Sequence, residues 1–352
     1  RGEQASFIKA LLCSEASMRP EIFNAGLRVL SAAISEDGGN CCLVFAFLAL
    51  LAPTTLADSA PPLVDADWLK ASRGRSDVVV LDIQAPKEYQ RFHIPGAVNA
   101  PYDRWRTQPP KSDSKAKNAE AEDTLTSMLP PIEKLESMLG ELGIDNGDHL
   151  LIVPTGRGAG DLAAAARVFW TLKVLGHDRA SVLDGGLIAY ADSGLPLARG
   201  SEQRPATEYQ ANLQPELVPD AEAVRTAIAN DAQPVDARSE GEFVGLYTGD
   251  EAERPGTIPG SRHLPYDWVS NDGSSKLRGP GALDALFKAR GVDTDGEQIH
   301  FCHSGNRAAL TWFAAYAVLG NEDALLYDGS MMEWARDDSL PISAEIELCD
   351  AC

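Results

Sequence analysis

The chain alternates short apolar runs with longer stretches in which apolar residues recur at helical spacing, and this order occurs twice. VVVLD (78–82) and PVD (234–236) are short runs that end in aspartate, and LLIV (150–153) and IHF (299–301) each precede a helical pattern. Short apolar strands that alternate with helices of about 10 to 15 residues are typical of parallel sheets covered by helices on both faces. The pattern therefore predicts an α/β fold with one such sheet in each repeat.

The two repeats also share motifs at matching places. Ile-Pro-Gly and Pro-Tyr-Asp follow the first strand of each repeat, and a later strand in each ends in Asp-Gly. A duplication of this length indicates two homologous domains rather than a solenoid, whose units have about 20 to 50 residues. The predicted organisation is a leader (1–60), an N-terminal domain (61–199), a linker (200–216), a C-terminal domain (217–344) and a tail (345–352).

Length and charge limit the function classes. The chain has 352 residues, which is enough for two domains with ordinary cores. Its formal net charge is -21 and no basic run interrupts the acidity, so no segment is suited to neutralising the phosphates of a nucleic acid. We therefore expect no nucleic acid partner.

Residues 1–60 differ from the remainder of the chain. Residues 41–52, CCLVFAFLALLA, have the length of the apolar part of a secretory signal, and the small residues before Pro61 offer a cleavage site near Ala57. This block is shorter than the roughly 20 apolar residues that span a bilayer, and Pro53 ends it, so we expect no stable membrane insertion after processing. The sequence predicts a periplasmic or secreted protein, and a cytoplasmic protein with an amphipathic leader is the alternative.

The candidate reaction centre is the stretch HFCHSGNRAAL, residues 300–310. Cys302 ends an apolar strand, and small and polar residues then lead to Arg307 and a helical pattern. A loop between a strand and a helix N-terminus directs several main-chain N–H groups at one point, where the helix dipole also favours negative charge. Such surroundings stabilise a thiolate, which is the nucleophilic form of cysteine. The alternative is a buried structural cysteine at a strand end.

The first repeat lacks this thiol. Its corresponding stretch reads PTGRGAGD, so that Val153 or Pro154 stands at the position of Cys302, in a loop that is expected to be about four residues longer. The comparison of the repeats therefore predicts one reactive domain and one unreactive copy.

These motifs resemble the rhodanese family of sulfurtransferases, in particular the tandem two-domain members with one catalytic cysteine in the C-terminal domain. The resemblance covers residues 63–343 and rests on Asp-Ala-Arg-Ser with a following Glu-Phe, on Ile-Pro-Gly, on Cys-x-x-x-x-Arg, and on Asp-Gly before a late Trp. It implies two homologous rhodanese-like domains, each a parallel sheet with helices on both faces. It also implies the activity of a thiosulfate or 3-mercaptopyruvate sulfurtransferase.

The same resemblance implies roles for individual residues. Cys302 would take a sulfane sulfur from an anionic donor as a persulfide and pass it to a thiol or cyanide acceptor, which is covalent catalysis in two steps. Arg238 would approach the donor, or would instead be a structural partner for Asp236 or Glu242. Asp236 would support the site. The residues that would bind the substrate around the sulfur are His303, Ser304, Gly305, Asn306 and Arg307. This chemistry implies no cofactor and no metal.

Two departures from the family pattern leave the donor open. The loop CHSGNRA matches neither the doubly basic loop of thiosulfate-preferring members nor the Cys-Gly-Ser/Thr-Gly-Val-Thr loop of mercaptopyruvate-preferring ones. Thr257 stands where a histidine commonly precedes Ile-Pro-Gly, a histidine that the first repeat keeps as His93. We expect a small anionic sulfur donor and a thiol acceptor, which is either a small molecule or a thioredoxin-like protein.

Two other interpretations remain open. Cysteine phosphatases have one more residue between cysteine and arginine, so the shorter spacing from Cys302 to Arg307 favours sulfur over phosphate. A non-catalytic sulfur carrier or redox sensor that works with a protein partner is kept open by Cys349 and Cys352, a Cys-x-x-Cys pair in the tail whose thiols are candidate resolving groups. A tail disulfide without a role is the alternative for this pair.

Overall fold

The computed structural model describes residues 60–108, 125–249 and 254–346, all within the compact unit Leu56–Cys352. The described strands form two sheets with the orders β1-β5-β4-β2-β3 and β7-β6-β8-β9, and every pairing between these strands is parallel. The strands are β1 Leu63–Val64, β2 Val78–Asp82, β3 Val98–Asn99, β4 His149–Val153, β5 Ala180–Leu183, β6 Gln233–Asp236, β7 Arg262–His263, β8 Gln298–Phe301 and β9 Ala324–Leu326.

Helices alternate with these strands. The described α-helices are α1 Ala66–Ala71, α2 Pro86–Arg91, α3 Ile132–Glu141, α4 Ala159–Val174, α5 Gly186–Asp192, α6 Ala221–Ala229, α7 Glu240–Phe243, α8 Pro280–Ala289, α9 Asn306–Phe313 and α10 Ser330–Trp334. Val79 and Leu81 of β2 belong to one buried cluster and Val80 belongs to another, because successive strand residues point to opposite faces. Both faces of this sheet are therefore covered, and the predicted α/β fold is confirmed.

The strand register places the ends of two neighbouring strands together in each sheet. Asp82 of β2 pairs with Val153 of β4 in the N-terminal sheet, and Asp236 of β6 pairs with Phe301 of β8 in the C-terminal sheet. The chain therefore leaves β4 and β8 at equivalent points. These points lie at the carboxyl ends of parallel strands, where open α/β sheets place their ligand sites.

The two domains pack through the helices that follow these strands. Phe169 of α4 makes an edge-to-face contact with Phe313 of α9, with 5.0 Å between the ring centroids. Both rings belong to one hydrophobic cluster that also contains Leu81 of the first sheet and Val235 of the second. This shared cluster fixes the two helices, and the loops that precede them, against each other.

The segments outside the two sheets also make defined contacts. In the linker, the amide of Asn212 donates to the Leu175 carbonyl of the N-terminal domain at 2.9 Å. At the other end, the amide of Ile346 donates to the Val244 carbonyl at 2.8 Å. Within the part of the chain that the structure describes, no helix has the length and apolarity needed to cross a bilayer. The predicted signal segment and the tail cysteines lie outside the described residues.

Candidate active site

Cys302 begins the loop between β8 and α9. The loop runs from Cys302 to Gly305, which caps α9 with a φ of 71°, in the left-handed region that favours glycine. A Cβ atom on Gly305 would meet the Nη1 atom of Arg167 and lie 2.9 Å from the carbonyl oxygen of Asp328. Glycine is therefore required here both by backbone conformation and by space.

Ser330 holds both ends of this loop. Its Oγ atom accepts hydrogen bonds from the amides of Cys302 (3.1 Å) and Gly305 (3.0 Å), and its hydroxyl donates to the Tyr327 carbonyl at 2.8 Å. Ser330 has a φ of 51°, which is unusual for a residue with a side chain, and it is fully buried. The resemblance implied that residues 303 to 307 bind the substrate, but the amide of Gly305 donates to Ser330 in this structure.

Other amides of the loop have no protein partner in the described structure. Hydrogen bonds to described acceptors are absent at the amides of Ser304, Asn306 and Arg307. Asn306 and Arg307 lie in the first turn of α9, where the N–H groups have no intrahelical acceptor. This turn is also the positive end of the helix dipole. This end of the helix is therefore suited to an anion.

Arg307 is held by a carboxylate of α7, the short helix that follows the neighbouring strand β6. Its Nη1 and Nη2 atoms each lie 2.7 Å from a different oxygen of Glu242, which is a two-point ion pair. Burial by itself would raise the pKa of Glu242, but the hydrogen bonds and charge of Arg307 outweigh it and lower this pKa to about 2. Glu242 is therefore ionised at neutral pH and keeps Arg307 at the start of α9.

Arg238 and Asp236 form a buried pair beside the loop. The Nη2 atom of Arg238 lies 2.7 Å from Asp236 and also donates to the Gly256 carbonyl at 2.7 Å. Asp236 further accepts a hydrogen bond from Thr257 at 2.7 Å. Asp236 thus ties together two connections at the sheet edge, and Arg238 is engaged by protein groups. Its approach to a donor stays a prediction.

The thiol itself lies below the surface. Only 1% of Cys302 is exposed, so the cysteine is buried in this structure. His303 is half-buried, and a Cβ atom on Gly249 would lie 2.5 Å from its Nδ1 atom, so the connection through residue 249 packs against this ring. Among residues 60–108, 125–249 and 254–346, no three His, Cys, Asp or Glu side chains form a group that could hold a metal ion.

Comparison with known proteins agrees with this architecture. The model of the rhodanese-like domain matches the chain twice, over residues 65–193 and 220–337. The chain belongs to the rhodanese-like family.

Relatives are similar over most of both repeats. The 3-mercaptopyruvate sulfurtransferase of Homo sapiens is 31% identical over 77% of this chain and 84% of that protein. A Mycobacterium bovis protein with a thiosulfate sulfurtransferase name is 28% identical over 81% of this chain and 97% of its own. The crystal structure of SseA from Escherichia coli, described as a 3-mercaptopyruvate sulfotransferase, superposes on this chain with a TM-score of 0.63 and 30% sequence identity. The superposition covers 77% of this chain and 99% of SseA. The protein is thus a rhodanese-type sulfurtransferase.

The N-terminal rhodanese domain adds two side chains to the surroundings of the catalytic loop that the sequence analysis missed. The Tyr102 hydroxyl donates to Oδ1 of Asn306 in the first turn of α9. Burial raises the pKa of Tyr102 to about 12, so this hydroxyl keeps its proton at neutral pH. Arg167 of α4 forms an ion pair with Asp328, which follows β9. The only sequence signals were the Pro-Tyr-Asp motif and one arginine in an apolar helix.

The loop of the N-terminal domain is the counterpart that lacks the thiol. Leu187 donates its amide to the Pro154 carbonyl, as Met331 donates to that of Cys302, so Pro154 rather than Val153 stands at the cysteine position. The loop before α4 runs from Pro154 to Gly158 and is one residue longer than the loop from Cys302 to Gly305, not about four as expected. The longer helix α4, rather than the loop, accounts for most of the extra length.

Proposed function

We propose that the enzyme moves a sulfane sulfur from a small anionic donor to a thiol acceptor through a persulfide on Cys302. The observation that carries this proposal is that Cys302 starts the short loop before the N-terminus of α9, and that the amides of Ser304, Asn306 and Arg307 in this stretch have no described acceptor. These amides and the helix dipole would stabilise the negative charge of the thiolate, the bound donor and the persulfide in turn.

The two transfers balance without a further reactant except water. The Cys302 thiolate attacks the outer sulfur of thiosulfate, whose sulfur–sulfur bond breaks to release sulfite, or the thiol sulfur of 3-mercaptopyruvate, whose carbon–sulfur bond breaks to release the enolate of pyruvate. The enolate takes a proton from water to give pyruvate. In both cases a new sulfur–sulfur bond forms on Cys302. An acceptor thiolate then attacks the outer sulfur of the persulfide and releases Cys302 as the thiolate. One group transfer is thereby divided into two steps through a covalent intermediate.

The donor is an anion, either thiosulfate or 3-mercaptopyruvate. Relatives with both names match this chain at similar identity, 28% for the thiosulfate name and 31% for the mercaptopyruvate name. The feature that both donors share is negative charge, which fits the amides at the start of α9. The acceptor is a thiol of a small molecule or of a thioredoxin-like protein, and cyanide serves as an artificial acceptor in the assay.

Replacement of the thiol tests the site. Cys302→Ser should lower thiocyanate formation from either donor by at least about a thousandfold, because the covalent step is lost. Mass spectrometry of the wild-type protein after incubation with donor should show one added sulfur atom on the peptide that contains Cys302. The matched control is Pro154→Ser, at the equivalent place in the N-terminal domain, which should keep wild-type turnover. Persistent turnover in Cys302→Ser would remove Cys302 from the mechanism.

Arg238 is proposed to meet the negative charge of the donor. In the structure its guanidinium pairs with Asp236, so Arg238→Ala should also lower the melting temperature. A raised KM with little change in kcat would support donor binding. An unchanged KM in the folded variant would show that Arg238 does not bind the donor and has only the structural role of pairing with Asp236.

The tail cysteines are proposed as an internal acceptor. Ile346, the last described residue, is held at Val244, two positions after the Glu242 that binds Arg307, so the tail starts beside the catalytic domain's loop. The Cys349 thiolate would take the outer sulfur from Cys302, and Cys352 would then attack to give a disulfide and hydrosulfide, with a dithiol protein as reductant. Truncation after Leu348 should slow turnover with thioredoxin and leave the cyanide assay unchanged; equal loss in both assays would contradict this role.

Export is a separate proposal. It rests on the apolar block at residues 41–52 and the small residues near Ala57. A mature N-terminus near Ala57 in the periplasmic or secreted fraction, read by mass spectrometry, is the expected result. An intact leader on protein in the cytoplasm would refute it.

A further inference from the structure

Arg167 is a buried arginine of the N-terminal domain that reaches the catalytic loop of the C-terminal domain. It is 1% exposed, and its guanidinium pairs with one oxygen of Asp328. The other oxygen of Asp328 accepts a hydrogen bond from the Leu129 amide of the N-terminal domain at 2.7 Å. Asp328 is therefore held from two sides by the domain that has no catalytic cysteine.

The guanidinium of Arg167 is incompletely satisfied. Among the described residues, its Nε and Nη1 atoms have no hydrogen-bond acceptor although both are buried. Nη1 occupies the space that a Cβ atom on Gly305 would need. The planar guanidinium stacks on Trp170, with 4.5 Å between Cζ and the ring centroid. Buried donors without acceptors cost free energy, and the ion pair with Asp328 satisfies Nη2 but leaves Nε and Nη1 of this guanidinium without described acceptors. Its placement against Gly305 points to a role at the loop.

Both ends of the catalytic loop are connected to this pair. Asp328 lies two residues before Ser330, whose Oγ atom accepts the amides of Cys302 and Gly305. Arg167 thus contacts the loop directly at Gly305 and also fixes, through Asp328, the turn that carries Ser330. A shift in this turn would move the backbone of Cys302 itself.

We propose that Arg167 is a positioning residue for the catalytic loop, supplied by the N-terminal domain. It holds the left-handed turn at Gly305 and the Ser330 turn in one arrangement, so that the amides at the start of α9 are aligned with the sulfur. The proposal rests on the assignment of Cys302 as the nucleophile. It gives the unreactive domain a defined part in turnover, because that domain provides the side chain that sets the loop geometry.

A pair of variants separates positioning from stability. Arg167→Met leaves Asp328 buried without its partner and should lower the melting temperature, so it is combined with Asp328→Asn, which removes the second charge and keeps an oxygen for the Leu129 amide. The double variant should regain most of the melting temperature yet keep a kcat about tenfold to a hundredfold below wild type, with KM changed less than about threefold. Arg167→Lys, which keeps the charge but not the planar contact with Gly305, should be intermediate.

Recovery of both stability and kcat in the double variant would show that Arg167 acts only as a structural partner and would overturn the proposal. Assays are run at a temperature at which near-ultraviolet circular dichroism shows each variant to be folded. Arg157→Met, which removes the exposed arginine of the N-terminal loop, is the matched control and should keep wild-type kcat.

A second readout does not depend on sulfur transfer. The rate at which iodoacetamide alkylates Cys302, followed on its own peptide across a pH series, should fall about tenfold in the double variant and stay unchanged in Arg157→Met. Wild-type alkylation rates in the double variant would count against positioning even if kcat fell. If Cys302→Ser retained turnover, the proposed function would fail while this measurement would still report the effect of Arg167 on the loop.

Discussion

The two repeats place the same strand, loop and helix at the same edge of their sheets, but they fill the loop differently. In the N-terminal domain, one carboxylate oxygen of Asp161 accepts the amides of Gly156 (3.1 Å) and Arg157 (2.9 Å). Asp161 is the third residue after the capping glycine of its helix. The third residue after the capping glycine in the C-terminal domain is Ala308, whose methyl side chain cannot accept a hydrogen bond. The unreactive loop therefore lacks the thiol and also satisfies its amides with its own anion.

An ion pair between an arginine and a glutamate lies beside the loop in both repeats. Arg157 pairs with Glu88 at 2.7 Å, as Arg307 pairs with Glu242. The first pair is exposed, with 59% of the Arg157 side chain accessible, whereas 26% of the Arg307 side chain is accessible. The two glutamates follow equivalent strands, but Arg157 lies one residue before its capping glycine and Arg307 lies two residues after its own. The repeats therefore share an arginine–glutamate ion pair beside the loop, although the two arginines do not hold equivalent positions. The C-terminal loop differs from the N-terminal loop in its thiol, in its amides without described acceptors and in the greater burial of its ion pair.

Copying Asp161 into the reactive loop should give the largest effect. In Ala308→Asp, the carboxylate would reach the amides five and four positions earlier, those of His303 and Ser304, and would compete with the anionic donor. We expect kcat/KM to fall at least about a hundredfold. Ala308→Asn, of the same size without the charge, is the control and should lose much less. Equal losses in the two variants, measured by thiocyanate formation, would mean that size rather than charge disrupts the loop.

Exchange of Ser330 for the residue of the other repeat should give a smaller effect. The equivalent position is Gly186, which has a φ of 61°. Ser330→Gly removes a strain of about 1 to 2 kcal/mol. It also removes the acceptor of two buried amides, which costs about 1 to 3 kcal/mol for each amide. The melting temperature should therefore fall modestly, while kcat falls roughly tenfold because Cys302 and Gly305 lose their common anchor. An unchanged kcat at unchanged melting temperature would show that Oγ is dispensable for the loop.

The smallest effect concerns the aspartates at the ends of β2 and β6. Asp236 pairs with Arg238, whereas Asp82 accepts hydrogen bonds from the neutral Gln84. Burial raises the pKa of Asp82 to about 6, and the hydrogen bonds from Gln84 only partly offset this. Because this pKa lies above the unfolded value of about 3.9, the associated stability is present below pH 4 and is lost as the pH rises through 6.

Gln84→Arg should remove this loss. The Nε2 atom of Gln84 contacts the Phe92 carbonyl as Arg238 contacts that of Gly256, so an arginine can follow the same course. The melting temperature should rise by a few degrees at pH 8, and the gain should shrink as the pH falls below 6. A gain that is independent of pH would exclude the Asp82 charge as its cause. Turnover should not change, since this pair lies in the unreactive domain.

Periodicity predicted the fold well, and local motifs supplied candidate site residues whose roles stay predictions. The duplicated order of strands and helices follows from which residues are apolar, and Cys302 with Arg307 follows from a contiguous stretch. The residue of the N-terminal repeat that is equivalent to Cys302 stayed ambiguous between Val153 and Pro154, because the sequence does not show where a strand leaves its sheet. The amide of Gly305 donates to Ser330 and is therefore not available to a substrate. Nothing near Gly305 in the sequence indicates this partner.

The sequence by itself determined the two α/β domains, the absence of the thiol from the first, and the short run from Cys302 to Arg307. Only the tertiary structure decided which distant groups hold that run. Ser330 lies 28 positions from Cys302, and Arg167 lies 161 positions from Asp328. Apolar spacing governs burial and local structure, whereas the partner of a buried charge or amide depends on which elements pack together, and two repeats with the same local pattern can therefore differ in chemistry.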